Sequence, residues 1–319
     1  MTAPRSEKRT VLENRHDTGI DVVTGAFGYS GRAIARALQE RGRRVRTLTG
    51  HPGRAEAGST IETNALDFED LPGMTESLGG ATTLYNTYWV RFARGRTDHS
   101  AAVENSRALF NAAQRAGEQR IVHVSITNPS IDSPYPYFRG KALVERALAE
   151  TGLPYAVLRP AVLFGANGVL INNIAWLLRR LPVFAVGGRG DYRIRAIHAD
   201  DLADLAVNAG ASREDSVVDA VGPDRPTFLE LVQAIRAAVR SRAKVIQVPG
   251  VLLPVAATFL NVALRDVLLT WDEYRAMADN LADVAGTATG TTSIKQWIAD
   301  TGPSLGITYA NELERHFRS

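Results

Sequence analysis

The chain of 319 residues contains no cysteine. This absence excludes disulfide bonds, thiolate nucleophiles and cysteine-ligated zinc, and it leaves the redox compartment open. Lysine is scarce as well, with four residues among the 37 basic ones, and the arginines are scattered rather than clustered. Together with a net charge of only +3, this distribution predicts no nucleic-acid partner. No metal site is predicted.

Long hydrophobic runs are also lacking. The most apolar stretch, Val248 to Leu264, contains two prolines and is shorter than a bilayer span. We therefore predict no membrane span and expect this stretch to pack in the C-terminal part. Residues 1–18 are polar and basic, without the apolar core of a secretory signal. We interpret them as a disordered tail and expect a cytoplasmic protein.

The chain does contain short apolar runs that alternate with helical patterns. Helices are predicted over about 29–41, 103–116 and 137–150. Such alternation indicates βαβ units and therefore an α/β fold, a doubly wound parallel sheet of the Rossmann type. The predicted strands are Ile20–Thr24, Arg44–Thr49, Thr60–Leu66, Thr82–Asn86, Ile121–Ser125 and Tyr155–Leu158.

The pattern loosens after Gly165, which suggests a second unit. We predict a dinucleotide-binding domain over 19–164, rejoined by 196–222, and a smaller, mostly helical substrate lobe formed by 165–195 and 223–319. In the second half, Asn172–Arg180 and Phe228–Arg240 are predicted helices, Val183–Gly190 a loop and Ser216–Val221 a strand that rejoins the sheet. From Val245 onward we expect mainly helices.

A glycine-rich turn follows the first predicted strand. Gly25, Gly28 and Gly31 form a G-x-x-G-x-x-G pattern, with Phe27 and Tyr29 between them. A pyrophosphate needs backbone at close range, which residues without Cβ allow, and a helix N-terminus directed at its negative charge. We predict that these five residues bind a dinucleotide, and we add Asn86, at the end of the fourth strand, to the cofactor-binding set.

The end of the second strand favours NADP over NAD. An acidic residue there would bind the ribose 2′-hydroxyl, whereas an arginine would accept a 2′-phosphate. The sequence continues from Thr49 without an acid, and Arg54, or alternatively Arg32, could reach a phosphate. Asp67, after the third strand, could either accept a hydrogen bond from adenine or cap a turn.

Tyr137 and Lys141 are four residues apart on a predicted helix, so one lies above the other. A free phenol has a pKa of about 10, and a nearby ammonium lowers that value toward general acid–base duty. The same ammonium could bind the nicotinamide ribose. Tyr135 competes for the tyrosine role but lacks the four-residue spacing. At the end of the fifth strand, Thr127 is favoured over Ser125 for holding a substrate oxygen.

With these motifs, the chain resembles the extended or atypical short-chain dehydrogenases/reductases, close to the NAD-dependent epimerase/dehydratase group, from about Ile20 to Phe317. The resemblance also rests on Asn105, on Arg159-Pro160-Ala161, on Ile197-His198-Ala199-Asp200-Asp201 and on Asp219-Ala220-Val221-Gly222-Pro223. The set specifies the superfamily but not the substrate.

The resemblance implies roles for individual residues. Thr127 and Tyr137 would bind a carbonyl or alkoxide oxygen, Lys141 would position the ribose, and Ser125 would lie beside the cofactor. Asn105 would support a helix bend or proton relay. Backbone from Pro160 to Val162 would contact the nicotinamide amide.

The stretch Asn86–Phe92 departs from the group's usual small-residue turn and predicts a bulkier pocket. Its loop also carries Arg91, Arg94 and Arg96, which could face an acidic substrate or solvent.

Three functions remain open at this point. The first is an oxidoreductase or epimerase that acts on a small molecule, with a nucleotide sugar as the first guess by analogy and other carbonyl or hydroxyl compounds as alternatives. The second is a non-catalytic cofactor-binding sensor, as in the NmrA-like regulators, which typically lack the Tyr–Lys pair. The third is a subunit of a larger assembly, since the chain is also similar to the nucleotide-binding accessory subunit of respiratory complex I. A homodimer through helices 103–116 and 139–149 would suit the fold.

Overall fold

The computed structural model describes residues 19–55, 58–91, 98–166, 168–252, 266–267 and 269–311. Its strands are β1 Ile20–Thr24, β2 Arg44–Thr49, β3 Glu62–Ala65, β4 Ala81–Asn86, β5 Arg120–Val124, β6 Tyr155–Pro160, β7 Leu163–Phe164, β8 Val183–Gly187, β9 Ile197–His198, β10 Ser216–Ala220 and β11 Lys244–Val248. Its helices are α1 Tyr29–Glu40, α2 Leu71–Leu78, α3 His99–Ala116, α4 Pro136–Ala149, α5 Val169–Arg180, α6 Ala199–Ala211, α7 Phe228–Ala238, α8 Trp271–Ala278 and α9 Ile294–Thr301.

Seven strands form one parallel sheet in the order β10-β6-β5-β4-β1-β2-β3. The chain moves outward from β1 through β2 to β3 and then crosses to β4 on the other side of β1. Ligands of such sheets bind outside the carboxyl ends of the strands at this switch point. The predicted α/β Rossmann fold is confirmed, including the late strand that rejoins the sheet.

Helices cover both faces of the sheet because each contributes one apolar stripe. On one face Ile34 and Leu38 of α1 pack with Leu202 of α6. On the other face Leu109 and Phe110 of α3 pack with Val144 of α4. The central strands of the sheet are therefore buried between two layers of helices.

A separate apolar core lies in the lobe that follows β7, where α5, α7 and α9 pack around Phe184 and Val186. Here one prediction was wrong, because Val183–Gly190 is not a loop: its first five residues form β8, which pairs in parallel with β11. The two strands are some sixty residues apart along the chain, so the sequence around either strand does not indicate its pairing partner. The mostly helical C-terminal lobe is confirmed, since the elements described after β11 are helical and include α8 and α9.

Helix α2 was not predicted, because Leu71-Pro72-Gly73 contains two residues that disfavour helix interiors. Here Pro72 occupies the first turn, where its missing N–H costs nothing. The Asp70 carboxylate caps the helix by accepting a hydrogen bond from the Gly73 N–H at 2.9 Å.

The predicted tail, 1–18, and most of the apolar stretch 248–264 lie outside the described residues. In the described part of the chain, no helix is both long and apolar enough to cross a bilayer.

Candidate functional site

The glycine turn connects β1 to α1 and depends on its glycines. Gly25 has a φ of +64°, which favours glycine, and its N–H donates to the Leu48 carbonyl at 2.8 Å. A Cβ on Gly31 would lie 2.2 Å from the Gly25 carbonyl oxygen. The first turn of α1 carries no acidic side chain, and Gly28 precedes it without a side-chain cap. The turn therefore fits a dinucleotide pyrophosphate: its backbone is bare and a positive helix end faces it.

A single cavity of about 2120 Å³ begins at this turn and extends into the lobe. Of the predicted site residues, its wall contains Phe27, Gly28, Tyr29, Arg54, Thr127, Tyr137 and Val162. Three further predicted residues do not line the cavity: Gly25, Gly31 and Pro160. The two glycines shape the turn, and the Pro160 carbonyl accepts a hydrogen bond from the Thr127 N–H at 3.0 Å. The sheet edge and the lobe thus share one space, large enough for a dinucleotide and a second molecule.

Tyr137 lies in the first turn of α4 and is half-buried. Its ring packs edge-on against Trp89 and His99, with centroids 5.6 and 5.7 Å away. Among the described residues its hydroxyl has no hydrogen-bond partner. The expected lowering of its pKa is wrong for this structure: burial raises the pKa, with Glu273 adding to the effect and Arg91 opposing it.

Lys141 does not line the cavity. Lys141 as a whole is 2% exposed, and its ammonium donates to the Val124 carbonyl at 2.8 Å. It also lies over the Trp89 ring, 4.6 Å from the centroid. Burial lowers its pKa to about 7, with Glu145 acting in the opposite direction. Tyr137 and Lys141 therefore lie on one helix, as their spacing predicted. Trp89 contacts both side chains, and it belongs to the stretch that departs from the family pattern.

The two hydroxyls at the end of β5 make different contacts. Ser125 is buried and donates to the Glu145 carboxylate, away from the cavity. Thr127 lines the cavity, but its hydroxyl donates to the Leu281 carbonyl at 2.9 Å. The hydroxyl proton of Thr127 is therefore used in the hydrogen bond to Leu281. In this geometry its oxygen can serve a ligand only as an acceptor.

Asn86 and Asn105 were predicted as site residues, but neither lines the cavity in this structure. Each forms hydrogen bonds with neighbouring protein side chains instead. The Asn86 side chain is fully buried, accepts from the Thr24 hydroxyl at 3.2 Å and contacts the His123 ring at 3.1 Å. Burial lowers the pKa of His123, so the imidazole is neutral. Asn105 donates to the Tyr88 hydroxyl at 2.8 Å.

Asp67 follows the second of its two predicted alternatives. It is exposed after β3, and its carboxylate accepts the Glu69 N–H at 2.9 Å, an Asx turn. It is not part of the cavity wall.

Arginines collect at the end of the cavity beside the glycine turn. Arg32 donates to the Phe27 carbonyl at 3.3 Å, Arg36 forms an ion pair with Asp200, and Arg54 closes a short turn after β2. All three arginines line the cavity. A 2′-phosphate here would meet positive charge, as the sequence predicted for Arg54 and Arg32.

The lobe is fastened to the sheet domain around Tyr137. Arg91 donates to the Glu273 carboxylate of α8 at 2.8 Å, and the Tyr135 hydroxyl donates to Asp279. Asn128, in the left-handed region at φ 51°, donates to the carbonyls of Leu281 and Asp283. Arg91 therefore serves an internal ion pair, while Arg94 and Arg96 lie outside the described residues.

Sequence reasoning missed the aromatic part of the wall in the lobe. Phe184, Tyr192, Phe228 and Trp297 all line the cavity. Their sequence contexts look like ordinary core positions, and three different elements bring them together, so no local pattern could have identified them.

Comparisons with known proteins match the part of the chain that contains the glycine turn. The family described as NAD(P)H-binding matches residues 25–172. The mitochondrial NADH dehydrogenase [ubiquinone] 1 alpha subcomplex subunit 9 of Mus musculus is 24% identical over 236 residues, which cover 68% of this chain and 60% of that protein. The chain spans between 23% and 60% of the length of the first curated relatives that it matches.

Solved structures share the fold. Citrobacter sp. triphenylmethane reductase, solved in complex with NADP(H), has a TM-score of 0.70 and 18% identity, with 89% of this chain and 99% of that one covered. A nucleoside-diphosphate-sugar epimerase from Staphylococcus aureus has a TM-score of 0.66 and 16% identity, covering 88% and 99%. The resemblance drawn from the sequence is confirmed at this level: residues 25–172 match the family described as NAD(P)H-binding, and the fold is shared with a reductase and an epimerase.

Proposed function

We propose that this chain is an NADP(H)-dependent reductase that converts a carbonyl group of a small molecule to an alcohol. One observation carries the proposal: a single cavity joins the glycine turn and its arginines, through Tyr137, to a second compartment in the lobe. A cofactor and a substrate would then meet beside a phenol that has no other hydrogen-bond partner in the described structure.

When bound, the reduced dinucleotide supplies a hydride to the carbonyl carbon. Tyr137 then donates its proton to the carbonyl oxygen, so that the C=O group becomes CH–OH. The Tyr137 phenol is protonated at neutral pH and therefore has a proton to donate, although burial raises its pKa and makes it a weaker acid than a free phenol. The alkoxide left by hydride transfer is the stronger base and takes the proton. The positive charge of Arg91, which favours the phenolate, stabilises the side chain after the proton has left.

The same geometry gives Lys141 a positioning role. Its ammonium fixes the end of β5 through the Val124 carbonyl and supports Trp89, which packs against Tyr137. The phenol ring is thereby held by an aromatic contact with Trp89. Ribose contact by Lys141, as in the family pattern, would require Trp89 to move.

The test compares Tyr137→Phe with the control Tyr155→Phe, whose ring begins β6 and does not line this cavity. Cofactor affinity is measured by NADPH fluorescence, and turnover by NADPH oxidation with a panel of ketones and quinones. We expect Tyr137→Phe to bind NADPH normally and to lose about 10²- to 10⁴-fold in kcat, the usual contribution of a positioned acid. Unchanged turnover in Tyr137→Phe would remove Tyr137 from the mechanism.

A second candidate is a non-catalytic protein that holds the dinucleotide as a structural or sensing element. It is favoured by the similarity to a complex I subunit and by the position of Lys141 outside the cavity. Tight NADPH binding with no turnover across the panel, in the wild type and in both variants, would select it.

A further inference from the structure

The compartment inside the lobe has a wall of large apolar side chains. Leu177, Phe184 and Phe228 are each less than 10% exposed, and Met277 and Trp297 are partly buried beside them. All five line the cavity. We call this compartment the lobe chamber. Rings bury much apolar surface and pack well against aromatic walls, so such a wall favours a ring system over a sugar.

Charge argues in the same direction. In the described part of the lobe, the charged side chains that line the cavity are Asp272 and Glu273, and both are acidic. Arg91, on the opposite side, already pairs with Glu273. A sugar nucleotide carries two phosphates, which require cations or helix N-termini. In the lobe they would meet Asp272 and Glu273, while the cations that line the cavity, Arg91 and Arg139 beside Tyr137 and Arg32, Arg36 and Arg54 at the glycine turn, lie outside the lobe.

One polar group stands out within this apolar wall. Tyr192 is 4% exposed, lines the cavity and stacks on Phe228 with centroids 5.3 Å apart. Its hydroxyl is buried and has no hydrogen-bond partner among the described residues. Buried hydroxyls are nearly always paired, so an unpaired one in a cavity wall calls for a ligand. Burial raises its pKa, with Tyr274 and Asp191 adding to the effect, so it remains a neutral donor.

We infer that the lobe chamber binds a neutral, apolar, multi-ring molecule and that the Tyr192 hydroxyl donates a hydrogen bond to an oxygen of that molecule. This inference rests on the proposed function only in calling the molecule a substrate. It replaces the nucleotide sugar suggested by analogy, and it makes Tyr192 a specificity residue distinct from the proton donor Tyr137.

The first experiment uses wild-type protein saturated with NADP⁺ and three probes: fluorenone, fluorene and UDP-glucose. Fluorenone and fluorene share three fused rings and differ by one carbonyl oxygen. Binding is followed by quenching of tryptophan fluorescence, since Trp297 lies in the wall. We expect fluorenone to bind more tightly than fluorene, and both to bind far more tightly than UDP-glucose. Preferential binding of UDP-glucose would overturn the inference.

The second experiment uses Tyr192→Phe, with Tyr155→Phe as control. Because the Tyr192 hydroxyl donates to no protein group in the described structure, its removal leaves no partner unsatisfied, and the variant should have a thermal unfolding midpoint equal to or above that of the wild type. We expect its affinity for fluorenone to fall about three- to tenfold, the worth of one hydrogen bond, and its affinity for fluorene to stay unchanged. Equal effects on both probes, or none on either, would exclude the hydroxyl from recognition.

Turnover separates the two proposals. Binding of fluorenone that depends on Tyr192, without NADPH oxidation, would leave the chamber assignment intact and defeat the reductase. If fluorenone is reduced, Tyr192→Phe should raise KM and preserve kcat, whereas Tyr137→Phe should lower kcat.

Discussion

Glu118 provides a quantitative test of the electrostatics of this fold. It lies between α3 and β5, at the end of the sheet opposite the glycine turn, and is 3% exposed. Neither carboxylate oxygen has a hydrogen-bond partner in the described structure. Burial, together with the negative charge of Asp21, raises its pKa from 4.5 to about 8, and Arg46 opposes the shift.

A raised carboxyl pKa means that the folded protein binds a proton that the unfolded chain releases. The free energy of unfolding is therefore unaffected by this group below pH 4.5 and falls as the pH rises toward 8. At about 1.36 kcal/mol per pKa unit, the penalty is below about 1 kcal/mol at pH 5, about 3 kcal/mol at pH 7 and approaches about 5 kcal/mol above pH 8.

Glu118→Gln removes the ionisation and nearly preserves the shape. Urea unfolding at pH 5, 7 and 9 should show the variant gaining about 2 kcal/mol over the wild type between pH 5 and pH 7. Glu104→Gln is the matched control, since the Glu104 side chain is 76% exposed on α3, and it should show no such trend. A stability difference between Glu118→Gln and the wild type that does not change with pH would refute the reasoning.

Three further changes have expected outcomes. Gly31→Ala places a Cβ against the Gly25 carbonyl and should cost about 1–3 kcal/mol of stability and most of the NADPH affinity, measured by urea unfolding and fluorescence titration, whereas Gly53→Ala meets no atom within 4 Å and should be neutral. Lys141→Met should stabilise the protein more at pH 6 than at pH 9, by about 3 kcal/mol in urea unfolding, because burial lowers the lysine pKa to about 7; a pH-independent effect, or the same trend in the exposed control Lys295→Met, would contradict this. Arg54→Ala should weaken NADPH binding about 10- to 100-fold, the worth of one charge-assisted contact, and leave NADH binding unchanged; an equal loss for both would show that Arg54 does not read the 2′-phosphate.

The sheet was predictable because its strands are short, apolar and separated by helices, so that each unit is specified locally. The glycine turn was predictable for a similar reason: its spacing places three residues without Cβ at one bend. By contrast, β8 and β11 depend on each other across some sixty residues. Strand pairing at that separation along the chain produces no recognisable pattern in the sequence of either segment.

The site was predictable in its residue types and less so in their contacts. Spacing placed Tyr137 and Lys141 on one helical face, but it could not show that Trp89 would meet both. It also could not show that the Thr127 proton is taken by Leu281, because that bond joins residues 154 positions apart. The sequence shows which chemical groups the site contains. The tertiary structure decides which other protein groups contact them or form hydrogen bonds with them.

The polar contacts between the end of β5 and the segment 279–283 have a consequence for the whole molecule. The carbonyl oxygens of Leu281 and Asp283 hold the loop that leads from β5 toward Tyr137. The C-terminal segment therefore sets the position of the proposed proton donor, although it belongs to the other lobe. A chain cut before this segment would retain every residue of the nucleotide turn and lose the carbonyl oxygens that hold the loop after β5.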